Sequence, residues 1–321
     1  MILGFRCSLI LSVITLLFFS SITSNAQGFP HNDTVEMRLR PEVEPLGIRV
    51  GGSLIYPRLG FKGLYDDNIF RRDALKVEDF ILVVSPEVET RSMWDRHAIN
   101  FSASADLGRY HDYPTEDYDD WSIAVDGRYD AGAGAEIFGS GRIAQLHEDR
   151  SSPDTPGLAA GPTVYTVADV FARYVHRPSI VSLSADTVYT RFDFDNVDRI
   201  GGGSIDQQFR NRNEFGLEIQ SGYEFASRRE SILLLGGSRR DYDNPQELVG
   251  NVFAKRSSWG YHIQVGTEYD FGGIFFGELL IGYQQRNFDD QIFPTINGPD
   301  IDASINWNIT PLTTIKAAVE Q

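Results

Sequence analysis

The chain has 321 residues, of which 41% are hydrophobic and 23% are charged, and its formal net charge is −16. An acidic excess of this size argues against nucleic acid and anionic membrane surfaces as partners. The one cysteine, Cys7, falls within the export signal described next, so a disulfide framework is excluded as the source of stability.

The first 26 residues have the three parts of a secretory signal peptide. Arg6 supplies a positive charge, an apolar run covers residues 9–19, and the small-residue triplet Ser24-Asn25-Ala26 ends the segment. The apolar run is shorter than the roughly 20 residues that a spanning helix needs. We therefore predict cleavage after Ala26, which removes Arg6 and takes the formal net charge to −17.

Residues 27–52, which include Pro41 and Pro45, are predicted to form a periplasmic lead segment ahead of one strand-rich domain at 53–321. In that domain apolar and polar residues alternate over long segments, as in the stretch from Phe215 to Phe225. Such segments exceed the roughly 5–6 residues usual for strands of globular proteins, and they suit a tilted crossing of a bilayer. The alternation predicts amphipathic, membrane-spanning strands.

The links between these strands alternate between short and long along the chain. The short links are predicted at 93–96, 131–134, 177–179, 227–230, 272–273 and 310–312, and the long links at 111–119, 149–163, 195–212, 243–257 and 289–299. Short periplasmic turns and long extracellular loops are typical of outer-membrane barrels. The fold class that we predict is all-β, a transmembrane antiparallel up-and-down β-barrel exported to the outer membrane.

About thirteen strands can be counted from Leu54, and the last of them, at 313–321, stops partway. Single-chain bacterial barrels close with an even number of strands. We therefore expect a C-terminally truncated part of a barrel of about 14–18 strands.

Two sets of residues are predicted to carry the interactions of the barrel with water and with lipid. Charged side chains on the inward faces should form a mixed-charge lumen wall: Arg58, Lys62, Arg128, Arg142, Arg173, Glu218, Glu224, Glu268, Glu278 and Arg286. Aromatic residues at strand ends should form two girdles at the lipid–water boundaries: Trp121, Tyr242, Trp259 and Phe288 next to long loops, and Phe225, Phe271, Phe275 and Trp307 next to short turns.

Metal and catalytic chemistry have little support in the sequence. The acidic clusters at 66–68, 116–120 and 193–198 lack the ligand spacing of a calcium loop, so no metal and no other cofactor is expected. His111-Asp112, near Asp119-Asp120, is the one grouping that could act in acid–base chemistry. No nucleophile elbow, phosphate loop or zinc motif is present, and we expect no enzyme activity.

The segment from Gly47 through Leu54-Ile55-Tyr56-Pro57 to Tyr65-Asp66-Asp67-Asn68-Ile69-Phe70 resembles the opening strand of the putative β-barrel porin 2 family. The resemblance continues at residues 117–121 and 127–129 and covers most of the chain from Gly47 onward. It implies an outer-membrane porin-like protein, often associated with exopolysaccharide production and export, without catalytic residues.

Two functions stay open from sequence. One is a porin-like channel, either a passive pore or the outer-membrane step of polysaccharide export. The other is a non-conducting structural or adhesive barrel that acts through its long acidic loops. The expected partners are outer-membrane lipid and lipopolysaccharide, and for the export reading polysaccharide or its export machinery; the oligomeric state is open.

Overall fold

The computed structural model describes residues 45–248, 250, 252–310 and 313–321. The predicted signal peptide and most of the lead segment lie outside the described residues. Within them the chain is built of strands, with short 3₁₀ turns at Pro114–Glu116 and Gln208–Arg210. No helix of the described part has the length and apolar character needed to cross a membrane.

Thirteen long strands make up most of the structure, and a short one precedes them. The short strand is β1 (Ile48–Val50). The long strands are β2 (Ser53–Asp66), β3 (Asp79–Ser92), β4 (Ala98–Tyr110), β5 (Tyr118–Gly132), β6 (Ala135–His147), β7 (Val164–His176), β8 (Val181–Phe194), β11 (Arg212–Ala226), β12 (Arg229–Tyr242), β15 (Ser258–Asp270), β16 (Phe275–Phe288), β17 (Ile296–Thr310) and β18 (Thr313–Glu320). Two small hairpins lie in long links: β9 (Val197–Asp198) with β10 (Ser204–Ile205), and β13 (Gln246–Leu248) with β14 (Val252–Ala254).

The fourteen strands other than these hairpins form one antiparallel sheet in which each strand pairs with its neighbours along the chain. This up-and-down order confirms the predicted fold class and the thirteen strands counted from Leu54. The additional strand β1 lies at the end of the predicted lead segment and pairs with the start of β2. In the described residues the two ends of the sheet, β1 and β18, do not pair with each other.

The alternation of link lengths is confirmed over the described residues. Short links occupy 93–97, 133–134, 177–180, 227–228 and 271–274, and long links occupy 67–78, 111–117, 148–163, 195–211, 243–257 and 289–295. The two-residue turn between β5 and β6 has positive φ at both Ala133 and Gly134, as a type I′ hairpin turn requires. Because consecutive strands run in opposite directions, all short links lie at one end of the sheet and all long links at the other. These ends are called the short-link end and the long-link end below.

The sheet has one apolar face and one polar face. On the apolar face, large side chains such as Phe61 and Val265 are 69% and 58% exposed. The opposite face carries most of the charged side chains and is the more enclosed of the two. Within the described residues, a buried apolar cluster on this face joins Ile232, Leu234 and Leu280. A sheet without a central hydrophobic core and with an exposed apolar surface is suited to lipid on one side and water on the other.

Candidate solute pathway along the polar face

The ten charged residues predicted for the lumen wall all lie on the polar face. Residues directly opposite each other in an antiparallel ladder project from the same side of the sheet. One continuous row crosses ten strands of the sheet, from β4 to β17, and includes Arg128, Arg173 and Glu218. Parallel rows of the same parity contain the other members, namely Arg58, Lys62, Arg142, Glu224, Glu268, Glu278 and Arg286.

Ion pairs on this face connect neighbouring strands. Arg173 Nε on β7 donates to Asp186 Oδ1 on β8 at 2.7 Å, and a second guanidinium nitrogen contacts the other carboxylate oxygen. Arg58 Nη1 on β2 donates to Glu87 Oε1 on β3 at 3.1 Å. The bidentate pair fixes the orientation of the Arg173 guanidinium, but about half of each arginine side chain is exposed. Their contribution to stability is therefore small, on the order of 1 kcal/mol or less.

Glycines on the polar face allow longer side chains to cross a strand. His262 Nε2 on β15 lies 3.5 Å from Glu218 Oε2 on β11, although β12 lies between the two strands. The intervening residue of β12 is Gly236, and a Cβ atom there would lie 2.1 Å from His262 Cε1. The contact between His262 and Glu218 therefore depends on the missing side chain at position 236.

A row of four glutamates crosses the polar face near the short-link end. Glu224, Glu230, Glu268 and Glu278 are directly opposite one another on β11, β12, β15 and β16. Like charges placed opposite in a sheet repel each other, so such a row lowers stability. Arg177 Nη2 lies 3.1 Å from Glu230 Oε2 and partly offsets the charge. Sequence reasoning missed Glu230, although its place just after a short turn and opposite Glu224 could have revealed it.

The long links at one side of the sheet are tied to each other by buried ion pairs. The Arg150 guanidinium in link 148–163 makes a bidentate pair with Glu116 at 2.6 and 2.7 Å, and the Glu116 side chain is only 4% exposed. Arg210 pairs with Glu148, with one contact at 2.9 Å, and joins link 195–211 to link 148–163. Phe70 of link 67–78 makes an edge contact with the ring of Tyr113, with centroids 5.4 Å apart. Four long links therefore form one packed unit at the long-link end.

Six of the eight predicted girdle aromatics lie on the apolar face. At the short-link end the rings of Phe271 and Phe275 are 5.7 Å apart, and Trp307 is directly opposite Phe275. Tyr269, which was not predicted, stacks on Phe271 at 5.9 Å and makes an edge contact with Phe225 at 6.4 Å. The apolar-face members are Trp121, Trp259, Phe225, Phe271, Phe275 and Trp307.

Tyr242 and Phe288 differ from the predicted placement, because both lie on the polar face. Tyr242 is directly opposite Arg212, and Phe288 is directly opposite Ser258, which shares a row with Arg240. Successive side chains of a strand point to opposite faces, so residues two positions apart share a face. Position at the end of a strand was therefore not sufficient to place an aromatic residue next to lipid.

Arginines on the apolar face are paired with aspartates at the long-link end. Arg191 Nη2 lies 2.6 Å from Asp243 Oδ2, and Arg239 Nη2 lies 2.6 Å from Asp289 Oδ2. Hydrogen bonds from the two guanidinium groups hold the pKa of Asp243 and that of Asp289 below their usual range. Both carboxylates are in long links, just beyond the last residues of β12 and β16. They keep the two arginines neutralised at the edge of the apolar face.

The candidate acid–base pair His111 and Asp112 lies in the link after β4. His111 Nδ1 is 2.9 Å from Asp112 Oδ1, and both side chains are largely exposed. The buried carboxylate of Asp79 brings a third ligand atom within 4.8 Å, the one such grouping found in the described residues. The Asp79 oxygens already accept backbone N–H groups from Phe80, Asp112 and Tyr113. Asp79 therefore anchors this link. Asp120, another acidic residue considered with this pair, contacts His147 instead.

The two-faced antiparallel sheet, its link pattern and its charged polar face define a porin-like outer-membrane β-barrel protein. The chain belongs to the family described as putative beta-barrel porin 2, whose model matches residues 40–321. The family resemblance of the opening strand is thereby confirmed.

Comparison with solved structures finds distant similarities. The copper transporter OprC is 13% identical with a TM-score of 0.44, and the match covers 80% of this chain and 48% of the OprC chain. The toluene transporter TodX of P. putida is 10% identical with a TM-score of 0.37, and the match covers 84% of this chain and 81% of TodX. The translocator domain of the autotransporter NalP from Neisseria meningitidis is 12% identical with a TM-score of 0.33, covering 79% and 87%. The chain thus spans about half the length of OprC, and no curated protein matches it.

Proposed function

We propose that the chain forms an outer-membrane channel in which the polar face lines a water-filled path for solutes. The observation that carries the proposal is the separation of the two faces over thirteen long strands. Apolar side chains as exposed as these would favour aggregation in water, whereas lipid solvates them. A barrel of more than about 12 strands leaves an aqueous interior rather than a packed core.

The charges of the polar face support passage of polar solutes. Rows of charged side chains along a lumen bias which ions and solutes pass. The glutamate row of β11, β12, β15 and β16 gives the short-link end an acidic wall. We expect this end, which faces the periplasm in the proposed orientation, to favour cations over anions.

A more specific version of the channel proposal is export of a surface polysaccharide. Its support is the association of the family with exopolysaccharide, and its partners would be the polysaccharide and its export machinery. Outer-membrane lipid and lipopolysaccharide would surround the apolar face. Deletion of the gene should then reduce surface polysaccharide, and unchanged surface polysaccharide would leave the passive pore as the function.

Planar bilayer recording on the full-length protein tests the channel. We expect stepwise ion conductance after insertion of the purified protein. A membrane that stays sealed, although the protein has inserted, contradicts the channel. Protein heated to unfold it before addition is the control, since it lacks the hydrogen-bonded strands that cross a bilayer and should give no conductance.

The second candidate is a non-conducting structural or adhesive barrel, and the packing of the long links favours it. Buried pairs such as Glu116 with Arg150 make these links a rigid unit at the long-link end. A rigid unit there could present a binding surface. Deleting residues 195–212 should then abolish surface attachment while the bilayer stays sealed with and without the deletion.

No catalytic role is part of the proposal. His111 and Asp112 lack an adjacent nucleophile motif, and the contacts of Asp79 are explained by the anchoring of the link. Substitution of His111 by alanine should leave channel properties unchanged.

A further inference from the structure

We propose that the long-link end of the polar face carries a binding site for an oxyanion, a carboxylate or phosphate group of a solute. The site, called the guanidinium cluster here, consists of Arg212, Arg240, Arg256 and Arg286. The assignment of this site to a transported solute rests on the proposed channel function. Binding of an anion to the cluster can nevertheless be measured on protein that does not conduct.

The charge balance of the cluster is the first argument. Among the described residues, one carboxylate serves its four guanidinium groups: Glu214 Oε1 is 2.7 Å from Arg212 Nε, and Glu214 Oε2 is 3.5 Å from Arg240 Nε. In the part of the chain that the structure describes, Arg256 and Arg286 have no ion-pair partner. An excess of positive charge on an enclosed wall is unexpected in a chain of net charge −16. It creates a local field that attracts anions.

Neutral groups hold Arg286 in place. Its Nη1 donates to Ser258 Oγ at 3.2 Å and its Nη2 to Ser238 Oγ at 3.1 Å. Ser258, which accepts this hydrogen bond, is directly opposite Arg240 in the ladder. The residue beneath the guanidinium of Arg286 is Gly260, where a Cβ atom would lie 3.5 Å from the guanidinium carbon. Hydroxyl groups orient the cation without neutralising it.

Tyr242 positions the other half of the cluster. Its side chain is buried, and the guanidinium carbons of Arg212 and Arg256 lie 5.7 and 4.7 Å from its ring centroid. The Nε of Arg256 is buried and has no hydrogen-bond partner. A buried donor without an acceptor costs about 1–3 kcal/mol. Arg256 as a whole is only partly buried, so an anion beside Tyr242 would meet the outer part of its guanidinium group.

The chemistry of the donors selects oxyanions among anions. A guanidinium group presents parallel N–H donors that match the two oxygens of a carboxylate or phosphate. Rings that stack on the guanidinium groups limit their motion, so less conformational entropy is lost on binding. The cluster is therefore preorganised for an acidic sugar, a small carboxylate or a phosphorylated solute.

Isothermal titration calorimetry of the full chain in detergent micelles tests the site, with glucuronate, inorganic phosphate and neutral glucose as probes. We expect glucuronate or phosphate to bind and glucose not to bind, and the tighter of the two anions identifies the group recognised. The double variant R256Q/R286Q should weaken binding about ten- to hundredfold. The matched control is R58Q, which removes a guanidinium from the same face outside the cluster and should leave affinity unchanged.

Two further readouts keep the outcome decisive. R286K retains the charge but not the paired donors, so we expect affinity between that of the wild type and that of the double variant. Three results would each overturn the site. Glucose could bind as tightly as glucuronate, R256Q/R286Q could bind both anions as tightly as the wild type does, or neither anion could bind to the wild type. A sealed bilayer with anion binding intact would contradict the channel alone.

Discussion

Replacing Ile263 by arginine is expected to destabilise the protein strongly in a bilayer, because this side chain lies on the apolar face in the middle of β15. It is directly opposite Leu235 and Tyr283 and is 44% exposed. An arginine at the midplane of a barrel's lipid face costs about 2–4 kcal/mol. The equilibrium constant of unfolding should therefore rise about 30- to 1000-fold.

The neighbouring residue provides a matched control, since His262 occupies nearly the same depth on the polar face. His262→Arg can keep the contact with Glu218 across Gly236 and faces water in the proposed channel. We expect it to change the free energy of unfolding by less than about 1 kcal/mol.

Both free energies can be measured by guanidinium titration of the protein folded into phospholipid vesicles, with tryptophan fluorescence as the signal. A soluble sheet with the same two faces would not distinguish the substitutions in this way. If Ile263→Arg destabilises the protein no more than His262→Arg does, the apolar face does not contact lipid, and the assignment of the two faces is wrong.

The other predictions concern the short-link end, the rim of the apolar face and the packed links. Replacing Glu268 and Glu278 by glutamine should shift the reversal potential in a salt gradient toward anions, and an unchanged potential would place the glutamate row outside the conducting path. The lowered pKa of Asp289 means that its pair with Arg239 stabilises the fold above the ordinary aspartate pKa of about 4 and loses this effect as pH falls through the lowered value. Between pH 5 and pH 2.5, the denaturant concentration at the midpoint of unfolding should therefore fall more for the wild type than for Arg239→Gln. If the two midpoints fall by the same amount, the pair contributes nothing to stability. Glu116→Gln breaks a buried pair and should speed proteolysis of link 148–163 with little change in the strands, whereas wild-type cleavage rates would show that the packed unit does not depend on this pair.

How far the sequence alone could predict the polar face depends on local patterning. In β11 alternation is regular, and Glu218 and Glu224 share one face of the sheet. In β12 the apolar run from Ile232 to Leu235 hides the alternation, because Ile232 and Leu234 point to the polar face and their neighbours to the apolar face. Tyr242 of the same strand is predicted at the lipid boundary from its position next to a long link, whereas the register places it on the polar face.

What the sequence by itself determined is the architecture. Strand length, period-2 alternation and the regular change between short and long links are local properties, and each is a direct consequence of crossing a bilayer with hydrogen-bonded strands. The fold class, the thirteen strands and the ends of the sheet follow from them.

Only the tertiary structure decided which charges meet. The register between strands places four glutamates side by side, and contacts between links far apart in sequence bury Glu116 against Arg150. The same register places Arg212, Arg240 and Arg286 on one face with Glu214, and the link before β15 brings Arg256 against Tyr242. Distances between side chains on different strands depend on register, and no local pattern specifies them.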